Sequence, residues 1–222
     1  KTVKQNLNQL LHISDQYGQE AGVGGDMRLY SGSISCSKDV QVYDCTNQWG
    51  VFSIAGPNTR EMLKDLVVSE DPNKTLSNKE FPWLTYRDIE IGMCPVRALR
   101  VAYTGELGWE LHHPIEMQNY LLDTILEAGK KYNLKLVGAR AQNWLRQEKS
   151  YRAFGSDLGR DAGPFESNLS RFVDLSKNFL GKVELEKRKL EYLCITLLID
   201  GPEDTDPWGR EVIYDASGES VL

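Results

Sequence analysis

Apolar residues recur in this chain with two different periods, which predict strands in some stretches and helices in others. Residues 49–56 form a short apolar run that ends at a Gly-Pro pair, as expected of a strand that leads into a helix. Residues 58–67 then carry apolar side chains on one helical face, and residues 2–14 repeat that spacing near the start. Residues 69–82 are rich in Asp, Asn and Ser and predict a surface connection.

The stretch from residue 88 to residue 103 predicts two more strands, because apolar and polar residues alternate along it. Gly105 and Gly108 then bracket a turn, and residues 109–113 return as a partner strand. We therefore expect a β-hairpin whose tip contains Tyr103.

Alternation along the returning strand separates its side chains into two sets. Trp109 and Leu111 share one face, while Glu110 and His112 share the other. The first pair is apolar enough to face a core, which leaves Glu110 facing either water or a second layer. Periodicity does not choose between these two readings. His112 and His113 are expected to be surface side chains.

The remaining elements define the fold class. Residues 114–132 predict a helix, and residues 139–151 predict another with Trp144 and Leu145 turned inward. Residues from 193 onward predict strands joined by turns. Hairpins outnumber strand-helix-strand units in this order, so we expect an α+β fold with a mostly antiparallel sheet and flanking helices, followed by the start of a C-terminal β-domain.

Three segments follow from this organisation. Residues 1–39 form a divergent or incomplete N-terminal segment, residues 40–178 form an α+β core, and residues 179–222 form a linker helix with the start of a truncated C-terminal β-domain. The chain begins with Lys1 and stops after a turn that enters a strand, which suggests a fragment or a processed form of something longer.

Composition narrows the class of partner. The chain has 222 residues, is 41% hydrophobic and carries a net charge of -6 with a pI of about 5.2. A nucleic acid or an anionic membrane surface would favour a basic face, so a small molecule or another protein is the expected partner. No apolar run approaches the roughly 18 residues of a membrane span. The four cysteines lie far apart, which favours free thiols in a reducing compartment.

No catalytic signature is complete within the chain, and its three histidines do not make a metal-ligand set. A basic group stands out, however, because Arg140, Arg146, Lys149 and Arg152 crowd one predicted helix and its exit. Ion pairs along a wet helix face would explain this group, and so would a small anionic ligand. Both explanations remain open at the level of the residues.

Five blocks in order resemble one family. They are residues 54–63, 100–111, 138–158, 161–175 and 178–187, within a match that spans about residues 40 to 215. Together they resemble the aminomethyltransferase family, the glycine-cleavage T-proteins. The similarity is greatest to the branch fused to flavin enzymes, which includes the dimethylglycine and sarcosine dehydrogenases.

This resemblance implies a tetrahydrofolate site. The positions that face folate in the family correspond to Tyr103, Glu110 and Arg140. A carboxylate can accept two parallel hydrogen bonds from a pterin ring, an aromatic ring can stack on it, and an arginine can hold an acceptor edge or a negative tail. The implied activity is formation of 5,10-methylenetetrahydrofolate from an iminium derived from an N-methyl amine. An upstream domain holding FAD, fused or associated, would produce that iminium.

The resemblance also has a gap. The family's catalytic aspartate precedes the matching blocks, and Asp39 stands in a different local context, so no catalytic residue is assigned. Two alternatives follow: a regulatory or scaffolding module similar to the regulatory subunit of pyruvate dehydrogenase phosphatase, and a stand-alone glycine-cleavage aminomethyltransferase. The family's members imply a mitochondrial matrix or a bacterial cytoplasm as the location.

Overall fold

The computed structural model describes residues 45–158, 162–202 and 211–220. These residues divide into two compact units, of which the first comprises residues 45–153 and 175–188 and the second comprises the rest. The helix predicted over residues 2–14 lies outside the described residues. The domain boundaries drawn from the sequence stay a prediction.

A four-stranded sheet forms the centre of the first unit. Its strands are β1 (Trp49–Ala55), β2 (Tyr86–Ile91), β3 (Cys94–Leu99) and β4 (Gly108–Pro114). They lie in the order β1-β4-β3-β2, and every neighbouring pair is antiparallel. The α+β prediction with a mostly antiparallel sheet is confirmed.

The three ladders of this sheet differ in length. β1 pairs with β4 from Trp49 opposite Pro114 to Ala55 opposite Gly108, and β2 pairs with β3 along their full lengths. The central ladder between β3 and β4 is shorter, since its register covers only the three pairs from Arg97 to Leu99 in the described residues. The sheet is therefore two longer two-stranded ribbons joined by a short seam.

The described residues contain five α-helices. They are α1 (Thr59–Leu66), α2 (Pro72–Thr75), α3 (Gln118–Gly129), α4 (Ala139–Glu148) and α5 (Lys182–Lys187). Single 3₁₀ turns at Ile115–Met117 and Lys130–Tyr132 extend α3 at its two ends, so the helix predicted over residues 114–132 is confirmed. Both α1 and α3 carry buried apolar residues and pack against each other over the sheet.

The core lies between these helices and the inner face of the sheet. Its fully or almost fully buried members include Leu63, Ile91, Val96, Trp109, Leu111, Leu121 and Ile125. Each such side chain contributes about 1.5–3 kcal/mol relative to an exposed position. Leu76 and Phe81 are also buried, although they lie in the stretch predicted as a surface connection. Because most residues around them are polar, the sequence pattern does not identify Leu76 and Phe81 as core residues.

Three further expectations are wrong. β3 ends at Leu99, so residues 100–107 form a loop rather than an extended hairpin strand reaching Tyr103. His113 is fully buried instead of lying on the surface. Trp144, expected to face inward, is 44% exposed, because Arg146 takes the buried position on α4.

Residues 193–200 lie outside regular structure, against the strand predicted there. In the second unit Tyr214 and Ser220 form an isolated antiparallel bridge, closed by a turn in which Asp215 accepts bonds from Ser217 and Glu219. These bonds, the Ser217 side chain first, hold the pKa of Asp215 below its usual value. Within the described part of the chain, no helix is long and apolar enough to cross a membrane.

Candidate functional site

The site predicted from the sequence centres on β4, whose side chains alternate between two environments. Trp109, Leu111 and His113 are buried against the core, and Glu110 and His112 are half-buried on the opposite side. The predicted separation of Trp109 and Leu111 from Glu110 and His112 is confirmed. We call the side of the sheet that carries Glu110 the outer face.

The buried histidine is fixed by local contacts. Its ring stacks on Phe52 with 4.8 Å between centroids, and Nδ1 donates to the carbonyl of Leu111 at 2.9 Å. Gly50 lies opposite His113, and a Cβ there would come within 2.6 Å of His113 Nε2. His113 therefore belongs to the packing of the inner face, while His112 belongs to the outer face.

Glu110 stands in the middle of the outer face. Its register neighbours are Ser53 on β1 and Leu99 on β3, and its side chain keeps 37% of its surface exposed. One carboxylate oxygen, Oε2, lies 3.3 Å from His112 Nε2. Since a carboxylate only accepts, His112 is the donor in this contact. The second oxygen, Oε1, has no hydrogen bond among the described residues.

A row of alternating charge continues across the sheet from that contact. Arg97 on β3 is the register partner of His112, and Asp88 on β2 is the register partner of Arg97. Arg97 donates to both oxygens of Asp88, at 2.8 and 3.3 Å, and its guanidinium lies 5.4 Å from the centroid of the Tyr86 ring. The hydrogen bonds to Asp88 raise the pKa of Arg97 above its usual value. Sequence pattern alone does not predict this row, because only the strand register brings its members together.

Tyr103 lies in the loop between β3 and β4, with 39% of its surface exposed. Its hydroxyl donates to the carbonyl of Arg152 at 3.0 Å, just beyond the end of α4. The loop is anchored on its other side because Gly56 N–H donates to the carbonyl of Leu107 at 2.8 Å. These bonds fix one end of the tyrosine and leave part of its ring open.

Glu106 has a different role from Glu110. It forms an ion pair with Lys149, whose Nζ lies 3.1 Å from Oε1, and both side chains are well exposed. The Lys149 stem covers Gly105, which adopts a φ of +72° that favours glycine and leaves no room for a Cβ. The two glutamates of the loop region are thus distinct: Glu106 ties the loop to α4, and Glu110 lies on the outer face.

Local contacts explain part of the basic group around α4, which consists of Arg140, Arg146, Lys149 and Arg152. Arg146 is 3% exposed, and it donates to Asn143 Oδ1 at 2.8 Å and to the Tyr151 carbonyl at 2.9 Å. Lys149 is the partner of Glu106. Arg140 lies on the first turn of α4 and is exposed. Local partners therefore account for Arg146 and Lys149, and the role predicted for Arg140 stays a prediction.

Behind Glu110, the indole of Trp109 is held by two cations on the inner side. The guanidinium carbons of Arg60 and Arg100 each lie 5.8 Å from its ring centroid, and both groups donate to Asn78 Oδ1 at 2.7 Å. Burial, followed by the nearby Arg60, lowers the pKa of Arg100. Cation–π contacts of this kind stabilise a ring by about 0.5–2 kcal/mol and fix its position. The residue next to Glu110 in the chain is therefore rigidly held.

An open groove lies on the same outer side, beyond the end of the short seam. Its lining includes Trp49, Pro95, Arg97 and Pro114, and its volume is about 380 Å³. Two prolines border it, and neither can donate a ladder hydrogen bond. No group of His, Cys, Asp or Glu in the described ranges has the geometry of a metal site.

The chain is similar in sequence to a described family and to several known enzymes. Residues 16–177 match the family described as GCVT N-terminal domain. The chain is 39% identical to human mitochondrial dimethylglycine dehydrogenase over 183 residues, which cover 79% of this chain and 20% of that protein. It is 33% identical to mouse mitochondrial sarcosine dehydrogenase over 181 residues, covering 78% and 19%.

An aminomethyltransferase from Caldanaerobacter subterraneus is 34% identical over 151 residues, which cover 68% of this chain and 39% of that protein. The chain spans about a fifth of the length of the two dehydrogenases. The family match covers well over half of the 222 residues and includes the whole sheet with its outer face. The chain belongs to the GCVT N-terminal domain family.

Proposed function

We propose that this chain is the tetrahydrofolate-binding, one-carbon-accepting part of an enzyme similar to dimethylglycine and sarcosine dehydrogenases. The observation that carries the proposal is the state of Glu110: a half-buried carboxylate on a partly exposed sheet face, with one oxygen bonded to His112 and the other without a hydrogen bond to any described residue. Similarity to the two dehydrogenases and to an aminomethyltransferase supports the class of reaction.

The residues present fit a folate. A pterin offers a ring N–H and an exocyclic amine side by side, and the Glu110 carboxylate can accept both because Oε1 is open and Oε2 keeps a second lone pair. The partly exposed ring of Tyr103 offers a stacking surface. Arg140 would hold an acceptor edge or the negative tail.

Tetrahydrofolate, when bound, would supply the two nitrogens that accept the iminium carbon; the demethylated amine and a proton are released, and the carbon leaves as 5,10-methylenetetrahydrofolate. The task of Glu110 and Tyr103 is to orient the ring, because fixing reactants relative to each other removes much of the entropic cost of a bimolecular step. A flavin domain, in the same protein or an associated subunit, would produce the electrophile. We assign such an enzyme to the mitochondrial matrix or a bacterial cytoplasm, and similarity to mitochondrial dehydrogenases and to a bacterial aminomethyltransferase supports this assignment.

The test is a calorimetric titration of tetrahydrofolate into the full chain under anaerobic conditions. Glu110→Gln keeps the shape but removes the charge, and we expect affinity to fall about ten- to a hundredfold, as for loss of charge-assisted hydrogen bonds. Glu106→Gln is the matched control and should bind like the wild type, since Glu106 pairs with Lys149.

Two failures have different meanings. If Glu110→Gln binds as tightly as the wild type, the site assignment is wrong although folate binding stands. If the wild type itself binds no folate, and instead retains a phosphatase or dehydrogenase from a defined mixture, the regulatory alternative replaces the proposal. Glycine-cleavage activity with a lipoyl carrier would favour a stand-alone aminomethyltransferase.

A further inference from the structure

This inference concerns residues of the outer face that contact Glu110 or its neighbours but would not contact folate themselves. This inference rests on the proposed function. It concerns the row that crosses three strands at one level, from Asp88 on β2 through Arg97 on β3 to His112 on β4, with Glu110 two residues before His112 on the same face. Neither composition nor spacing marks these residues as a group.

The first part of the argument is the freedom of a glutamate on an open strand face. Three side-chain torsions separate its carboxylate from the backbone, so an unsupported Glu110 would sample many orientations, and ordering it on binding would weaken affinity. The bond from His112 Nε2 to Oε2 restricts those orientations before any ligand arrives. It also leaves Oε1 available for a donor from the ring.

The second part is the arginine within reach. Leu99 lies opposite Glu110 in the register, which makes Arg97 a diagonal neighbour of Glu110 across the same ladder. An arginine that turned toward this carboxylate would form a fork and occupy both oxygens that a pterin needs. Such an Arg97–Glu110 ion pair would prevent folate from binding to the Glu110 carboxylate.

The structure shows that Arg97 points the other way. Both oxygens of Asp88 accept from it, and its guanidinium lies over the ring of Tyr86, which is also on β2. Since β2 and β4 flank β3 on opposite sides, these contacts draw the charge of Arg97 away from Glu110. We propose that His112 orients the Glu110 carboxylate and that Asp88 keeps Arg97 from occupying it, so both are positioning residues for folate binding.

Variants of His112 test the first role. His112→Gln retains an N–H donor at the end of the side chain, whereas His112→Leu does not. We expect His112→Leu to weaken tetrahydrofolate binding about three- to tenfold and His112→Gln to restore most of it. In a Glu110→Gln background the His112→Leu change should have no further effect, because a positioning residue acts only through its partner.

Asp88 is tested by pairing it with Arg97. Asp88→Ala frees the arginine, and we expect binding to weaken about two- to fivefold, while the double variant Asp88→Ala/Arg97→Leu should regain the wild-type affinity. The midpoint of thermal unfolding is measured for each variant, since the exposed Asp88–Arg97 pair should change it little.

The outcomes separate this inference from the function on which it rests. Absence of folate binding in the wild type overturns the proposed function. Binding that depends on Glu110 but is equal in the wild type and His112→Leu overturns the role of His112 alone. Equal loss in His112→Leu and His112→Gln also contradicts it, and an Asp88→Ala variant that binds normally contradicts the role of Asp88.

Discussion

The two faces of the sheet are built from adjacent residues of the same strands, yet they differ in what covers them. On the inner face, Trp109 and Leu111 are completely buried under α1 and α3. On the outer face, Trp49 and Val51 are 41% and 48% exposed, and polar groups form the centre. Burial stabilises the first set, whereas the second set contributes less to stability and is open to binding.

This difference explains how Glu110, the carboxylate that we propose binds folate, can be placed accurately on a partly exposed face of the sheet. Glu110 follows Trp109 directly, and the ring of Trp109 is fixed between Phe81, at 6.1 Å, and two guanidinium groups. Rigid packing on one side of a strand thereby determines the position of the backbone on the other. Packing on the inner face therefore determines where the side chains of the outer face lie.

The largest effect is expected from a pair of tryptophans that differ in face. Trp109→Ala leaves a cavity in the core and should lower the free energy of unfolding by about 3–5 kcal/mol. Trp49→Ala removes a side chain that is already 41% exposed, so its cost should be well below half of that. Urea unfolding followed by far-UV circular dichroism measures both. Similar losses of unfolding free energy in the two variants would contradict the proposed difference in stabilisation between the two faces.

A smaller effect is expected where β4 begins. A Cβ on Gly108 would lie 2.6 Å from the backbone oxygen of Ile54 and 2.8 Å from Ala102 Cβ, so the strand or the loop must shift. We expect Gly108→Ala to cost about 1–3 kcal/mol. Ser53→Ala, on the exposed side of the neighbouring strand, serves as the control and should change stability by less than about 0.5 kcal/mol. A neutral Gly108→Ala would show that the loop is not tightly packed here.

The ion pair of the loop should matter less than either packing change. Lys149→Met keeps the stem that covers Gly105 and removes the charge that pairs with Glu106. Since both side chains are about 40–45% exposed, we expect a loss below about 1 kcal/mol that disappears in 1 M salt. Unfolding curves at low and high salt measure this. A large, salt-independent loss would instead indicate that the stem was disturbed.

The smallest effect concerns an acidic group behind the inner face. Hydrogen bonds from Tyr132, and then from Lys131, hold the pKa of Asp65 below its usual value of 3.8. A lowered folded-state pKa stabilises the fold above pH 3.8, and this contribution is lost as the pH falls through the folded value. Asp65→Asn should therefore be less stable than the wild type near neutral pH, and the difference should vanish in acid. Urea unfolding between pH 2.5 and 7 measures it.

Local pattern was sufficient to predict β1, α1, α3 and the alternation of β4. Local pattern did not predict burial at positions where tertiary contacts determine it. The pairing of His112 and His113 beside Pro114 predicts His113 at the surface, yet a stacked Phe52 and a local carbonyl allow it to be buried. The inward face of α4 was assigned to Trp144, although the hydrogen bonds of Arg146 fill that position.

The row from Asp88 to Glu110 could not be predicted at all. Residues 88, 97 and 112 are separated by 9 and 15 positions, and only the register of two ladders brings them to one level, next to Glu110 on the same face of β4. A shift of one residue in either ladder would send these side chains to the opposite face. Register depends on the packing of the whole inner face, which a single sequence does not display.

The short seam between β3 and β4 has a consequence for how the molecule opens. β2 and β3 form a local hairpin, whereas β1 and β4 are joined across more than fifty residues, and the ladder between these two ribbons has three residue pairs in the described residues. Amide hydrogens along that seam should exchange with solvent sooner than those of either ribbon. Glu110 and His112 lie on this seam. A ligand bound across it would therefore slow that exchange and stabilise the contact between the β1–β4 ribbon and the β2–β3 ribbon.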